Sequence, residues 1–173
     1  MHWTVAGAGN ILCADDGFGV RVVQALAQER LPAHVELLEM GVDPMALRPS
    51  LERQDKLVIV DALAAGGKAG DLYVTRLSDI EPIGKMSSLH DFSYWHMLDE
   101  FPWTQGWVVG VEPETLACFY LSLSPPVAAQ IIPATKTVLR LITEIGVIAT
   151  DWPPNTKGVR NWDCIFGQCE DHL

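Results

Sequence analysis

Five apolar runs of strand length alternate with stretches of helical spacing along this chain, and that alternation restricts the fold more than any other feature. The runs are His2 to Gly7, Val35 to Met40, Lys56 to Ala62, Asp71 to Leu77 and Trp107 to Val111. Helical spacing is predicted for Phe18 to Glu29, with Val20, Val23, Leu26 and Ala27 on one face, for Pro44 to Arg53, for Asp91 to Phe101 and for Pro126 to Ile145. Pro44 suits a first helical turn, because its missing N–H has no intrahelical partner there. In the last helix Val127, Ile131, Val138, Ile142 and Ile145 form one stripe, and Pro133 is expected to kink it by deleting a backbone hydrogen bond. Strand and helix in alternation imply right-handed crossovers. The expected fold is therefore α/β: a single domain with a mostly parallel, twisted five-stranded sheet flanked by helices on both faces.

With 173 residues, 49% of them hydrophobic and 20% charged, the chain suffices for one domain with a substantial core. Residues 1–150 are assigned to that domain. From Asp151 the sequence Trp152-Pro153-Pro154-Asn155 cannot continue a helix, so residues 151–173 are read as an extended tail. A net charge of −10 argues against nucleic acid, whose affinity rests on Lys and Arg neutralising phosphates. No basic segment followed by an apolar core opens the sequence, and no run of about 18 apolar residues occurs, so a soluble cytoplasmic protein without membrane insertion is expected. Cys13 and Cys118 lie in segments that read as interior and are taken as small buried hydrophobes rather than a disulfide framework.

The first run is followed by Gly7-Ala8-Gly9-Asn10-Ile-Leu-Cys-Ala-Asp15-Asp16-Gly17-Phe18-Gly19. A Gly-x-Gly loop between strand and helix often cradles a phosphate, because backbone N–H groups at a helix start attract anions. Here two carboxylates occupy the place of the pyrophosphate, and Leu12 replaces the third glycine of a dinucleotide fingerprint. Such a loop suits a cation. Gly17 and Gly19, costly in a first helical turn, further indicate that the backbone approaches something closely.

In an open parallel sheet, ligands bind beyond the carboxyl ends of the strands. Three polar positions fall there: Asp16 after the first strand, Asp61 after the core run Leu57-Val-Ile-Val60, and His90 after the fourth strand, beside Asp91, which could cap the next helix. Each has a structural alternative: Asp16 as partner of a helix dipole, Asp61 as a brace for the following loop, His90 as a surface residue. Together, two carboxylates and an imidazole suit a divalent ion such as zinc or nickel that keeps exchangeable positions. His2, His34 and His96 are read as structural or solvated. No Gly-x-Ser-x-Gly elbow, His-Glu-x-x-His pair or Walker loop is present.

The pattern Gly7-x-Gly9-Asn10-x-Leu12-x-x-Asp15-Asp16-Gly17-x-Gly19-Val20, then Val60-Asp61-Ala62, His90 and Gly110-Val111-Glu112-Pro113, resembles the maturation endopeptidases of nickel-iron hydrogenases. The resemblance runs from about residue 3 to 145 and includes Leu123-Ser124. It implies an endopeptidase that removes a short C-terminal peptide from the hydrogenase large-subunit precursor after nickel insertion. It further implies that the acidic residues at the positions of Asp16 and Asp61, with the histidine at that of His90, read nickel held by the precursor. No cofactor would be permanently bound, the nickel being supplied by the substrate. Many relatives carry Glu at the position of Asp16, and Val42 replaces a hydroxyl-bearing residue after the second strand.

Two rival readings remain at this point. One is a hydrolase that carries its own divalent metal. The other is a non-enzymatic nickel chaperone or docking protein, for which Cys164, Cys169 and His172 of the tail would be the working part. Those tail residues otherwise read as incidental to a solvated segment. Trp95, Trp103 and Trp107 lie near the presumed site edge and could face a large partner or the core. The protein is expected to act as a monomer.

Overall fold

A computed structural model describes residues 2–79 and 94–143. The five strands are β1 (Trp3–Ala8), β2 (Val35–Gly41), β3 (Lys56–Ala62), β4 (Leu72–Arg76) and β5 (Gly106–Val111). They form one sheet in the order β2-β1-β3-β5-β4. The pairs β1/β2, β1/β3 and β3/β5 are parallel, whereas edge strand β4 runs antiparallel to β5. Every residue of β1 and β5 is buried, as expected of strands covered on both faces.

The helices divide between the two faces. Helices α1 (Phe18–Leu26) and α5 (Ile131–Thr143) cover one, where Phe18, Val22, Leu26, Val138 and Ile142 pack with Val5, Val58, Val60 and Val109. Helices α2 (Arg48–Glu52) and α3 (Tyr94–Glu100) cover the other, where Leu47, Leu51, Tyr94, Met97 and Phe101 meet Ala6, Ile59 and Val108. The spacing Tyr94, Met97, Phe101 follows the helical period and sets the buried face of α3.

Three local expectations need correction. The Pro44 segment is a single 3-10 turn (Pro44–Leu47) running into α2, with the Asp43 side chain accepting from the Met45 N–H at 3.0 Å. The C-terminal helix does not kink at Pro133. Instead it divides into α4 (Pro125–Ala128) and α5, interrupted at Ala129 and Gln130, so that Pro133 falls in the first turn of α5. A first-turn proline removes only an N–H with no intrahelical partner, which is why it leaves the helix intact. The predicted stripe otherwise holds in part: Val127, Val138 and Ile142 are buried, with Ala134 and Leu141 joining them, Ile131 is only partly buried against the same core, and Ile145 lies outside the described residues. Trp107 is buried at the opening of β5 and stacks on Trp3, ring centroids 5.6 Å apart. It therefore belongs to the edge opposite the strand carboxyl ends; Trp103 is exposed and Trp95 packs partly against the core. The tail residues Cys164, Cys169 and His172 lie outside the described residues.

Candidate active site

The loop after β1 passes directly from strand to α1, and two glycines make the passage possible. Gly9 has φ +106°, and a Cβ there would lie 1.7 Å from the Asp16 carbonyl oxygen. A Cβ on Gly19 would lie 2.1 Å from the Val60 carbonyl oxygen of β3. The close approach inferred from Gly17 and Gly19 is, at Gly19, that of α1 against the ends of β1 and β3, while a Cβ on Gly17 would lie 3.0 Å from the Ile11 Cα of the same loop. The Gly19 contact sets the loop bearing Asp16 beside the end of β3, where Gly7 pairs with Val60 and Asp61 follows.

The adjacent acids Asp15 and Asp16 face different ways. Asp15 is fully buried and accepts from the N–H groups of Glu114 (2.9 Å), Thr115 (3.0 Å) and Ser124 (2.6 Å), and from the Ser124 hydroxyl (2.9 Å). It organises the 112–124 loop from within. Buried carboxylates persist only when satisfied in this way. Asp16 keeps partial exposure, and its Oδ2 accepts from the Asn10 N–H at 2.7 Å.

Asp61 ends the buried run of β3 with its Oδ1 accepting from the Ala62 N–H and its Oδ2 from the Tyr94 hydroxyl, both at 2.8 Å. Burial pushes its carboxyl up to about 7 from an ordinary 3.8. The Tyr94 and Ala62 hydrogen bonds oppose the rise, and the negative charge of Asp16 adds to it. Burial likewise drives the Tyr94 hydroxyl well above its usual value, reinforced by the Asp61 charge. Two neighbouring carboxylates at the carboxyl edge of a parallel sheet offer oxygen ligands to a divalent cation. A carboxyl poised near 7 can also take up or release a proton at neutral pH.

Among the described residues, no group of three His, Cys, Asp or Glu side chains is placed to hold a metal ion. The structure thus brings together Asp16 and Asp61, while His90 lies outside the described residues. Sequence reasoning did not single out Tyr94, because nothing local marks its hydroxyl as the partner of Asp61, 33 residues away.

A second carboxylate, Glu112, shapes the neighbouring loop. It accepts from the N–H groups of Ala65 (2.8 Å), Gly66 (3.3 Å) and Gly67 (3.1 Å) and from the Tyr73 hydroxyl (2.6 Å). Burial would raise its pKa, but those four donors outweigh it and hold the carboxyl below the ordinary 4.5. Glu112 thereby fixes the turn that follows β3 and Asp61.

The fold, the glycine-acid loop and the acid closing β3 can be set against known proteins. The family model for HycI, hydrogenase maturation protease, matches residues 20–141. The chain is 37% identical over 158 residues to the hydrogenase 2 maturation protease of Escherichia coli K12, spanning 86% of this chain and 95% of that protein. The chain belongs to the hydrogenase maturation protease family. It is an endopeptidase of that type. The hydrogenase expression/formation protein HoxM of Azotobacter vinelandii is 33% identical, over 84% of this chain and 74% of that one. The solved hydrogenase maturating endopeptidase HybD from E. coli superposes with a TM-score of 0.71 at 32% identity, over 84% of the protease and 94% of HybD.

The interior placement read for Cys13 holds and that for Cys118 does not, and neither stands as a lone hydrophobe. Cys13 is buried but Cys118 is exposed, and the two are joined in a disulfide spanning 105 residues of sequence. Beside it the Ala14 N–H donates to the Tyr120 carbonyl at 2.8 Å. The bond ties the acidic loop of the protease to the 112–124 loop. Cys118→Ser should therefore lower stability by about 2–4 kcal/mol in oxidising buffer. Its denaturant midpoint should match that of wild type in excess dithiol reductant. A midpoint difference that persists unchanged in reductant would show that the side chain contributes by packing alone.

Proposed function

We propose that this protease removes the C-terminal extension of a nickel-iron hydrogenase large-subunit precursor after nickel insertion, with Asp16, Asp61 and His90 reading the nickel that the precursor carries. The observation that carries the reading is the pair Asp16 and Asp61 at the carboxyl edge of the sheet, within electrostatic reach of each other, Asp16 held through one oxygen by the Asn10 N–H and Asp61 through both by the Ala62 N–H and the Tyr94 hydroxyl. The names of the related proteins, maturation proteases of hydrogenases, set the substrate class. In this reading the nickel is part of the substrate. Partly ligated in the precursor, it accepts oxygen ligands from the protease only when the site has been loaded, so cleavage acts as a check on loading.

The test is to mix the protease with cognate precursor prepared nickel-loaded and nickel-free, and to follow precursor mass. Loss of a C-terminal peptide from the loaded precursor alone is the expected result. Equal cleavage of both forms would remove nickel from the recognition step. Cleavage of neither, with loading verified, would dismiss the precursor as substrate.

A further inference from the structure

The carboxylate of Asp61 is held from two sides, and the donors differ in kind. The Ala62 N–H on Oδ1 comes from the next residue and follows wherever the strand end goes. The Tyr94 hydroxyl on Oδ2 comes from a different layer, 33 residues along the chain. An aspartate's terminal torsion is broad, so a carboxylate with one local hydrogen bond can still swing. A second donor fixed in the surrounding structure removes that freedom, and each oxygen keeps lone pairs for another ligand.

Tyr94 is equipped to be such a fixed point. It is the first residue of α3, is 7% exposed, and packs with Met97, Phe101, Ile59 and Val108. Its ring lies 4.7 Å from that of Trp95. A buried tyrosine needs a partner for its hydroxyl, and here the partner is the site's own carboxylate. Asp16 has a comparable arrangement, with the Asn10 N–H on one oxygen, but that donor belongs to the same loop. Tyr94 thereby links the site to the helical layer on the second face of the sheet.

Resting on the reading of Asp61 as a ligand for precursor-borne nickel, we propose that Tyr94 is a positioning residue: its hydroxyl, anchored at the start of α3, orients the Asp61 carboxylate for the metal in the substrate. The phenol makes no contact with substrate in this role. It acts through Asp61, so its contribution should disappear wherever either the nickel or the Asp61 carboxylate is missing.

The experiment measures the affinity of full-length wild type, Tyr94→Phe, Asp61→Asn and the double variant for nickel-loaded and nickel-free precursor. Phenylalanine keeps the ring in its apolar cluster, and thermal melting checks that the fold persists. Tyr94→Phe is expected to weaken binding of loaded precursor about tenfold, leave nickel-free binding unchanged, and have no added effect in the Asp61→Asn background. Wild-type affinity in Tyr94→Phe, or equal weakening toward both precursors, would overturn the positioning role while leaving the nickel reading intact if Asp61→Asn still loses its preference for loaded precursor. If Asp61→Asn keeps that preference, the nickel reading fails and this inference fails with it.

Discussion

Asp61→Asn is expected to melt at a higher temperature than wild type at pH 8 and to process its substrate at least about a hundredfold more slowly. The stability half follows from the carboxyl's position near 7, well above its ordinary 3.8. Between those values the folded protein holds a proton that the unfolded chain releases, so stability falls as pH rises through the window, at up to about 1.4 kcal/mol per pH unit. Above pH 7 the penalty of ionising the half-buried Asp61 is present. Asparagine stays neutral, can accept from the Ala62 N–H through its carbonyl, and can donate its amide to the Tyr94 oxygen. The stabilisation should therefore be largest at pH 8 and vanish toward pH 4, where wild type is itself protonated. Melting curves across that range, with precursor cleavage measured on the same preparations, check both halves. A variant less stable than wild type at pH 8 would show that the carboxylate's hydrogen bonds outweigh its desolvation.

The neighbouring acids should separate in the opposite sense. Asp15→Asn should cost about 3 kcal/mol or more, because a buried acceptor of four hydrogen bonds becomes an amide whose NH2 meets donors. Asp16→Asn should retain nearly all the stability, since its carbonyl can still accept from the Asn10 N–H, yet lose processing at least about a hundredfold. Denaturant midpoints and single-turnover cleavage of the two variants make the comparison. Equal loss of stability in both would show that Asp16 is also a structural acid.

Much of this division was beyond the sequence. The five strands, their place in one largely parallel sheet and the presence of helices on both faces were legible, because buried strands and amphipathic helices write their periods directly into residue order. Asp61 was legible for a related reason: a carboxylate following Leu57-Val-Ile-Val60 sits where a strand leaves the core. The roles of Asp15 and Asp16 could not be told apart, since both stand in the same 3-10 turn and only the returning 112–124 loop decides which one is enclosed. Tyr94 and the Cys13–Cys118 pair stayed hidden because their partners are 33 and 105 residues away, and neither apolar spacing nor burial preference encodes such pairings. Pro133 was misplaced by taking one long helix where Ala129 and Gln130 divide two.

The loop that Asp15 gathers also carries Phe119, Tyr120 and Leu121, all exposed, with Phe119 at 94%. Its moorings include Asp15 by hydrogen bonds, Cys13 by a covalent bond, the Ala14 N–H on the Tyr120 carbonyl, and Arg21 of α1 on the Leu121 carbonyl. All of these lie within six residues of Asp16. Any load taken by this exposed apolar segment is therefore passed to the same short stretch of chain that carries Asp16.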